Sequence, residues 1–256
     1  MNNWRYIPCV EASGEVQMAI DRFLLQQHRL GKSLPVIRFY TWLPAAISLG
    51  YHQKDYPSAW KNLTWQGKPL DIVRRPTGGR AVLHQGDLTY AVVMSIPPGK
   101  RLAVYKQICQ FLIEGWRSLG VNLDYGTATK EYVRHHNCFA TATGSDLVTP
   151  AGNKVIGSAQ LRRGKIVLQH GSIILDTDPK LYHQIFNLPL KENLLTNIKQ
   201  KSDYGKQDNP LGCFRDKIIQ NLITAAISTF KIDIVEQPLS TEEWQDIARD
   251  FSPLRY

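Results

Sequence analysis

Short runs of β-branched and aromatic residues, most of them bounded by proline or glycine, are spread along much of this chain. They predict strands over 36–42, 45–49, 71–74, 81–83 and 88–96, and a hairpin formed by 155–160 and 165–175. Apolar residues at helical spacing predict helices over 11–30 and 101–119, ended by Gly31 and Gly120. Strands and helices do not alternate regularly, so we expect an α+β fold with a mixed β-sheet flanked by helices, and we expect the helices to pack on one side of the sheet.

The last third of the chain is predicted to be mainly helical. Helices are expected over 179–186, 211–230 and 241–250. Ser240 and Glu243 have the spacing of a capping box at the start of the last helix. The segment 188–210 is polar, and we expect it to be a mobile connector.

The composition is that of an ordinary globular protein. Of the 256 residues, 43% are hydrophobic and 21% are charged, which excludes a wholly disordered or fibrous chain. Every apolar run is far shorter than the ~18 residues that span a bilayer, and the first residues lack the layout of a signal peptide. We therefore expect a cytoplasmic protein that does not contact a membrane.

The chain carries an excess of positive charge. Lys and Arg number 31 against 22 Asp and Glu, a formal net charge of +9, which favours attraction to an acidic partner. The basic residues are scattered, and the densest cluster, 162–165, is predicted to be a hairpin turn. This distribution disfavours nucleic acid as the partner.

The spacing of cysteine and histidine predicts neither a metal site nor disulfides. The four cysteines, which form no C-x-x-C pair, are Cys9, Cys109, Cys138 and Cys213. His135 and His136 precede Cys138, but adjacent side chains on a strand point to opposite faces and no third ligand follows at a recognisable spacing. By residue type alone, a free cysteine is more often a small buried hydrophobe than a nucleophile.

The segment 74–84, with the sequence Arg-Arg-Pro-Thr-Gly-Gly-Arg-Ala-Val-Leu-His, is the first candidate site. Gly78 and Gly79 allow backbone N–H groups to approach a ligand closely, and the flanking Arg75 and Arg80 favour a polar or anionic group. The same spacing is also typical of a simple tight turn between strands. The segment has neither the spacing of a Walker loop nor that of a dinucleotide-binding fingerprint.

A second candidate site begins at Lys154. The small residues at 157–159 interrupt a strand otherwise built from Val and Ile, which indicates a close approach of another group to the backbone. His170 and Gly171 lie on the strand predicted to pair with it. A lysine beside a turn is, without further context, most often a solvated charge.

The order of these segments closely resembles the biotin/lipoate protein ligase catalytic domain superfamily, on its lipoate branch. The resemblance covers roughly residues 10–190, and Cys138 followed by Phe139, upstream of Lys154, is similar to the cysteine-dependent octanoyltransferases. It implies a ligase-like catalytic domain over 1–190. Residues 191–256 then form a C-terminal helical extension of the same domain.

The resemblance implies transfer of an octanoyl group from octanoyl-acyl carrier protein to a lysine of a lipoyl-accepting domain, such as the H protein of glycine cleavage. Cys138 would be the nucleophile and Lys154 its partner, with no cofactor and no metal. A thioester donor supports this chemistry, because a cysteine can accept its acyl group without ATP. Residues implied to line the acyl and pantetheine tunnel are Arg75, Thr77, Gly78, Gly79, Arg80, Ala81, His84, Gly157, Ser158, Ala159, His170 and Gly171.

The sequence alone also allows three other functions. In an ATP-dependent lipoate-protein ligase, Lys154 and the arginine-glycine segment would grip an acyl-adenylate and Cys138 would be incidental. An amidotransferase would move the acyl group between lipoyl domains. A basic nucleic-acid-binding protein would bind DNA in a salt-dependent way.

Overall fold

The computed structural model describes residues 2–96, 99–127, 143–195 and 210–249. Within these ranges the strands are β1 (Asn3–Ala12), β2 (Val36–Trp42), β3 (Ala46–Leu49), β4 (Thr64–Trp65), β5 (Lys68–Pro69), β6 (Asp71–Arg74), β7 (Val82–His84), β8 (Asp87–Ser95), β9 (Asp124–Tyr125), β10 (Leu147–Val148), β11 (Lys154–Arg163), β12 (Ile166–Ile174) and β13 (Asp233–Glu236). The helices are α1 (Gly14–Arg29), α2 (Arg101–Ser118), α3 (Pro179–Phe186), α4 (Pro210–Phe230) and α5 (Thr241–Arg249), with a short 3₁₀ helix at Ser58–Asn62.

The main sheet is mixed, as the sequence predicts. Its order among the described strands is β13-β1-β2-β8-β12-β11-β10-β9. β1 pairs in parallel with β2 and β13, whereas β8, β11 and β12 pair antiparallel with their neighbours. A second sheet has the order β6-β3-β7, and β4 pairs with β5. The α+β class is confirmed.

Helices cover both faces of the main sheet, so the expectation that they pack on one side is wrong. On one face α1 buries Ile20 and Leu24 against β2, β8 and β12. On the other face α2 and α4 share a core that includes Ile108 and Leu222. A Cβ added at Gly115 of α2 would lie 2.7 Å from Leu222 Cδ2 and 3.1 Å from its Cα, so the absence of a side chain allows these two helices to pack closely.

The helix predicted over 11–30 begins later than expected. β1 runs to Ala12, and Ser13 is the N-cap, with its hydroxyl accepting a hydrogen bond from the Val16 backbone N–H. β1 was not predicted, and β13, with which it pairs, was not predicted either. The two strands lie more than 220 residues apart, and local periodicity carries no information about such a pairing.

Several predicted ends of helices are confirmed. Gly31 and Gly120 follow their helices with φ values of 69° and 78°, in the left-handed region that glycine tolerates. Ser240 and Glu243 form a reciprocal capping box. The Ser240 backbone N–H donates to Glu243 Oε2 at 2.9 Å, and the Glu243 backbone N–H donates to Ser240 Oγ at 3.2 Å.

The prediction of a mobile connector over 188–210 is wrong for Leu194 and Leu195. Leu194 and Leu195 are buried in the core beneath α2 and α4, so this part of the segment is anchored. Residues 196–209 lie outside the described residues. The chain beyond them adds β13 to the main sheet as well as α4 and α5. In the part of the chain that the structure describes, no helix is long and apolar enough to cross a membrane.

Candidate active site

A cavity of about 170 Å³ lies where the two sheets meet, between the main sheet and the strands β3 and β7. It brings together both segments that the sequence singled out, although 69 residues lie between His84 and Lys154 along the chain. The predicted residues that line it are Arg75, Gly78, Gly79, His84, Gly157, Ser158, Ala159, His170 and Gly171. Thr77 and Ala81 are buried beside it.

The loop before β7 is shaped by its own arginine. Arg75 donates from Nη1 to the Ser48 carbonyl at 2.8 Å, and from Nη2 to the carbonyls of Gly78 at 2.9 Å and Arg80 at 2.6 Å. A Cβ added at Gly50 would lie 1.8 Å from the carbonyl oxygen of Gly79, so glycine is required there for the loop to pack. The Arg75 guanidinium, which the sequence predicts to favour a polar or anionic ligand group, therefore also holds the cavity wall in place.

A chain of buried polar groups connects this loop to β12 and α1 beside the cavity. Thr77 Oγ1 lies 2.7 Å from His170 Nε2, and His170 Nδ1 lies 2.7 Å from Asp21 Oδ2. Asp21 Oδ1 in turn lies 3.1 Å from Arg38 Nε, and Tyr40 donates its hydroxyl to Asp21. Burial alone raises the pKa of Asp21, but the Arg38 guanidinium and the hydrogen bonds from His170 and Tyr40 hold it below its ordinary value.

Replacing Asp21 by asparagine should destabilise the protein by about 3–5 kcal/mol, because the substitution leaves the buried Arg38 guanidinium without its carboxylate. Urea denaturation measures the change. The control is Asp246→Asn, which breaks an exposed pair with Arg249 and should cost less than about 1 kcal/mol. Equal, small losses in both variants would show that the buried pair does not stabilise the fold.

Lys154 forms a second buried ion pair at the edge of the cavity. Its Nζ lies 3.0 Å from Asp146 Oδ2, and both side chains are almost fully buried. The same carboxylate accepts hydrogen bonds from the backbone N–H of Thr143 at 2.7 Å and from its hydroxyl at 2.8 Å. Asp146 lines the cavity. A lysine in this setting is not the solvated charge that its position beside a turn would suggest.

Sequence reasoning did not single out Asp146. β10 and β11 pair so that Val148 lies opposite Lys154, and this register brings the carboxylate beside the ammonium. No short motif links an aspartate to a lysine eight residues later. The pairing of two strands by itself creates the contact.

Cys138, the predicted nucleophile, lies outside the described residues, as do His135 and His136. Thr143, which bonds Asp146, begins the described chain after this gap. Of the other thiols, Cys109 is fully buried in α2, and burial raises its pKa to about 11. Burial also raises the pKa of Cys9. Both thiols have the character of structural cysteines.

Comparison with known proteins identifies the family. The lipoyl protein ligase A/B catalytic domain family matches residues 13–207. The octanoyltransferase LipM of Brevibacillus brevis is 39% identical over 217 residues, which cover 79% of this chain and 78% of that protein. The octanoyltransferase LipM of Carboxydothermus hydrogenoformans is 34% identical, with 100% of this chain and 97% of that protein covered.

Solved structures with the same fold are lipoate-protein ligases. Lipoate-protein ligase A bound with ATP aligns with a TM-score of 0.76 at 19% identity, covering 98% of this chain and 94% of that chain. A bipartite lipoate protein ligase of Thermoplasma acidophilum, studied with its E2 lipoyl domain, aligns with a TM-score of 0.70 at 20% identity over 99% of this chain and 95% of that chain. The chain belongs to the lipoyl protein ligase A/B catalytic domain family and is an acyltransferase of its octanoyltransferase branch.

Proposed function

We propose that this octanoyltransferase takes its acyl group from octanoyl-acyl carrier protein and passes it, through a thioester on Cys138, to a lysine of a lipoyl-accepting domain. The buried Lys154–Asp146 pair at the edge of the cavity carries this proposal. In this pair Asp146 holds the Lys154 ammonium in a fixed position beside the space in which an acyl group would bind. The relatives are named octanoyltransferases, and the proposed role of this charge is to assist octanoyl transfer.

The first step exchanges one thioester for another. The Cys138 thiolate attacks the carbonyl carbon of the donor, the bond from that carbon to the pantetheine sulfur breaks, and the departing thiolate takes up a proton. Because a thioester replaces a thioester, the step needs no ATP and no cofactor. In the second step the acceptor lysine amine attacks the Cys138 thioester, an amide forms, and the cysteine thiol is released.

Lys154 assists as a cation. A free thiol has a pKa of ~8.5, so only a few per cent is thiolate at neutral pH, and lowering that value by one unit supplies ~1.4 kcal/mol. The carboxylate of Asp146 favours the ammonium form of its neighbour. We therefore assign Lys154 the stabilisation of the thiolate and of the oxyanion that develops during both steps, rather than the role of a neutral base.

The acyl chain and the pantetheine arm are proposed to bind in the cavity. Gly157, Ser158 and Ala159 form one wall with little side-chain volume. Gly171 lies opposite Ser158 on β12, and a Cβ there would come within 2.6 Å of Tyr90 Cε1 and 2.7 Å of the Gly157 carbonyl oxygen. Glycine at this position allows the two strands and the Tyr90 ring to pack closely behind the wall.

The proposed partners are acidic proteins. The net charge of +9 favours attraction to an acyl carrier protein and to a lipoyl domain, for example the H protein of glycine cleavage. The Thermoplasma ligase, whose structure was studied with its E2 lipoyl domain, supports a lipoyl domain as the acceptor. We place the reaction in the cytosol, where cysteine thiols stay reduced.

Amide formation should proceed without ATP or magnesium. The purified protein is incubated with octanoyl-acyl carrier protein and a lipoyl domain, and mass spectrometry follows the acceptor. We expect one octanoyl group on the acceptor, because the donor thioester already carries the acyl-transfer potential. Strict dependence on ATP, or transfer only from free octanoate with ATP, would indicate a ligase instead. Transfer only from an octanoylated H protein would indicate an amidotransferase.

A further inference from the structure

A serine, a histidine and an aspartate that take no part in the proposed transfer steps are linked by hydrogen bonds beside the cavity. Ser48 Oγ lies 2.8 Å from His84 Nε2, and His84 Nδ1 lies 2.8 Å from Asp87 Oδ2. All three side chains are buried, and both Ser48 and His84 line the cavity. These distances fall within the range for a nucleophile, its base and the carboxylate that orients the base.

The hydrogen bonds to Asp87 determine where the histidine proton lies. Asp87 Oδ2 also accepts from Thr89 Oγ1 at 3.0 Å and from Ser172 Oγ at 2.7 Å. An ionised carboxylate can only accept, so His84 Nδ1 carries the proton. Nε2 is then free to accept the hydroxyl proton of Ser48, which is the tautomer that a general base requires.

The imidazole is held neutral and in one orientation. Burial lowers the pKa of His84 below its ordinary value; the carboxylate of Asp87 opposes this effect, and Arg75 and His170 add to it. The ring stacks on Trp42 with centroids 3.8 Å apart. A neutral, fixed ring can take a proton at pH 7 without first losing one.

A fixed positive charge lies beside the serine oxygen. Arg75 Nη1 is 3.1 Å from Ser48 Oγ, in a guanidinium whose position is set by its bonds to the loop backbone. Preorganised donors of this kind stabilise negative charge that develops on a nucleophile or on the attacked carbonyl oxygen. The cavity wall thus combines a nucleophile, a base, an orienting carboxylate and an electrostatic stabiliser.

We propose that Ser48, His84 and Asp87 form a second reactive centre that hydrolyses medium-chain acyl thioesters bound in the cavity. Ser48 Oγ forms an ester bond to the acyl carbon as the carbon–sulfur bond breaks, and His84 passes the serine proton to the departing thiolate. A water molecule then attacks the ester, His84 takes the water proton and returns it to Ser48, and a free fatty acid leaves. This hydrolytic reaction needs neither Cys138 nor Lys154.

The test uses octanoyl-pantetheine and no acceptor protein, in a Cys138→Ala background. Chromatography measures release of octanoate. We expect hydrolysis above the uncatalysed rate at pH 7–8, a decline as the pH falls through the pKa of His84, and a loss of at least about 10²-fold when Ser48→Ala is added. Asp87→Asn should also slow the reaction, because it removes the negative charge that stabilises the imidazolium.

The matched control is Ser95→Ala. Ser95 Oγ lies 3.1 Å from His28 Nε2, but His28 Nδ1 contacts the Ser33 carbonyl instead of a carboxylate, and the pair lies outside the cavity. Adding Ser95→Ala to the Cys138→Ala variant should leave the hydrolysis rate unchanged. Circular dichroism melting shows whether each variant is folded.

Absence of hydrolysis in a folded Cys138→Ala variant would overturn the proposal. So would hydrolysis that persists in the folded Ser48→Ala variant, or that is lost equally in Ser95→Ala. Failure of the octanoyl-transfer proposal would instead appear as unchanged acceptor modification in Cys138→Ala, and the two failures are therefore distinguishable.

Discussion

Replacement of Cys138 by alanine should abolish octanoyl transfer to the acceptor, with a loss of about 10⁴-fold or more. The thiol is the atom on which the acyl group is covalently held in the proposed two-step route, and alanine offers no substitute. The rate of acceptor modification with octanoyl-acyl carrier protein as donor measures the loss. Ligase and nucleic-acid-binding functions would leave this thiol idle, so the variant separates them from a transferase.

Cys9→Ala and Cys109→Ala are the matched controls. Cys109 Sγ lies 3.2 Å from Gln169 Nε2 in the core beneath α2, so its substitution should reduce stability slightly and leave transfer largely intact. Cys213→Ala should also retain transfer. Full activity in Cys138→Ala, or an equal loss in the controls, would mean that another residue is the nucleophile.

Lys154→Ala should reduce the rate of transfer by about 10²–10³-fold, mainly through kcat, because a fixed charge beside the developing oxyanion acts most strongly in the transition state. Lys165→Ala is the control. Lys165 lies exposed in the turn between β11 and β12, next to Gly164, whose φ is 62°. Its loss should change the rate little.

The folding of the Lys154→Ala variant must be monitored alongside its activity. Lys154→Ala leaves the buried Asp146 carboxylate without its cation, which costs several kcal/mol of stability. Steady-state kinetics are therefore measured well below the melting temperature of the variant. Equal losses in Lys154→Ala and Lys165→Ala would contradict the assignment of roles, because only the first lysine is buried at the cavity.

Local sequence patterns predicted the elements whose partners lie nearby. The hairpin formed by β11 and β12 turns at Gly164, and α2 ends shortly before Gly120, because the signals for both lie within a few residues. Local sequence patterns do not predict β1 and β13, because each is stabilised by a partner distant in sequence. Tertiary pairing, rather than propensity, decides such strands.

Glycines and neighbouring small residues allow the candidate site to be located from the sequence, whereas single carboxylates do not. Asp21 lies on the buried face of α1, fully buried beside Arg38 and His170, although its residue type alone predicts an exposed side chain. The proposed roles of Asp146 and Ser48 likewise depend on contacts between residues of different strands. A lone acidic or hydroxyl residue carries no periodic signal, so the sequence could not distinguish these side chains from solvated ones.

Intact-mass spectrometry after incubation with octanoyl-acyl carrier protein, in the absence of an acceptor, tests the central claim most directly. The wild-type protein should gain one octanoyl group, which maps to Cys138 and is released by neutral hydroxylamine, as a thioester is. Cys138→Ala should show no hydroxylamine-labile adduct, and Lys165→Ala should show the wild-type adduct. A thioester adduct that survives Cys138→Ala, or a wild-type protein that transfers octanoate without acquiring one, would contradict the covalent route.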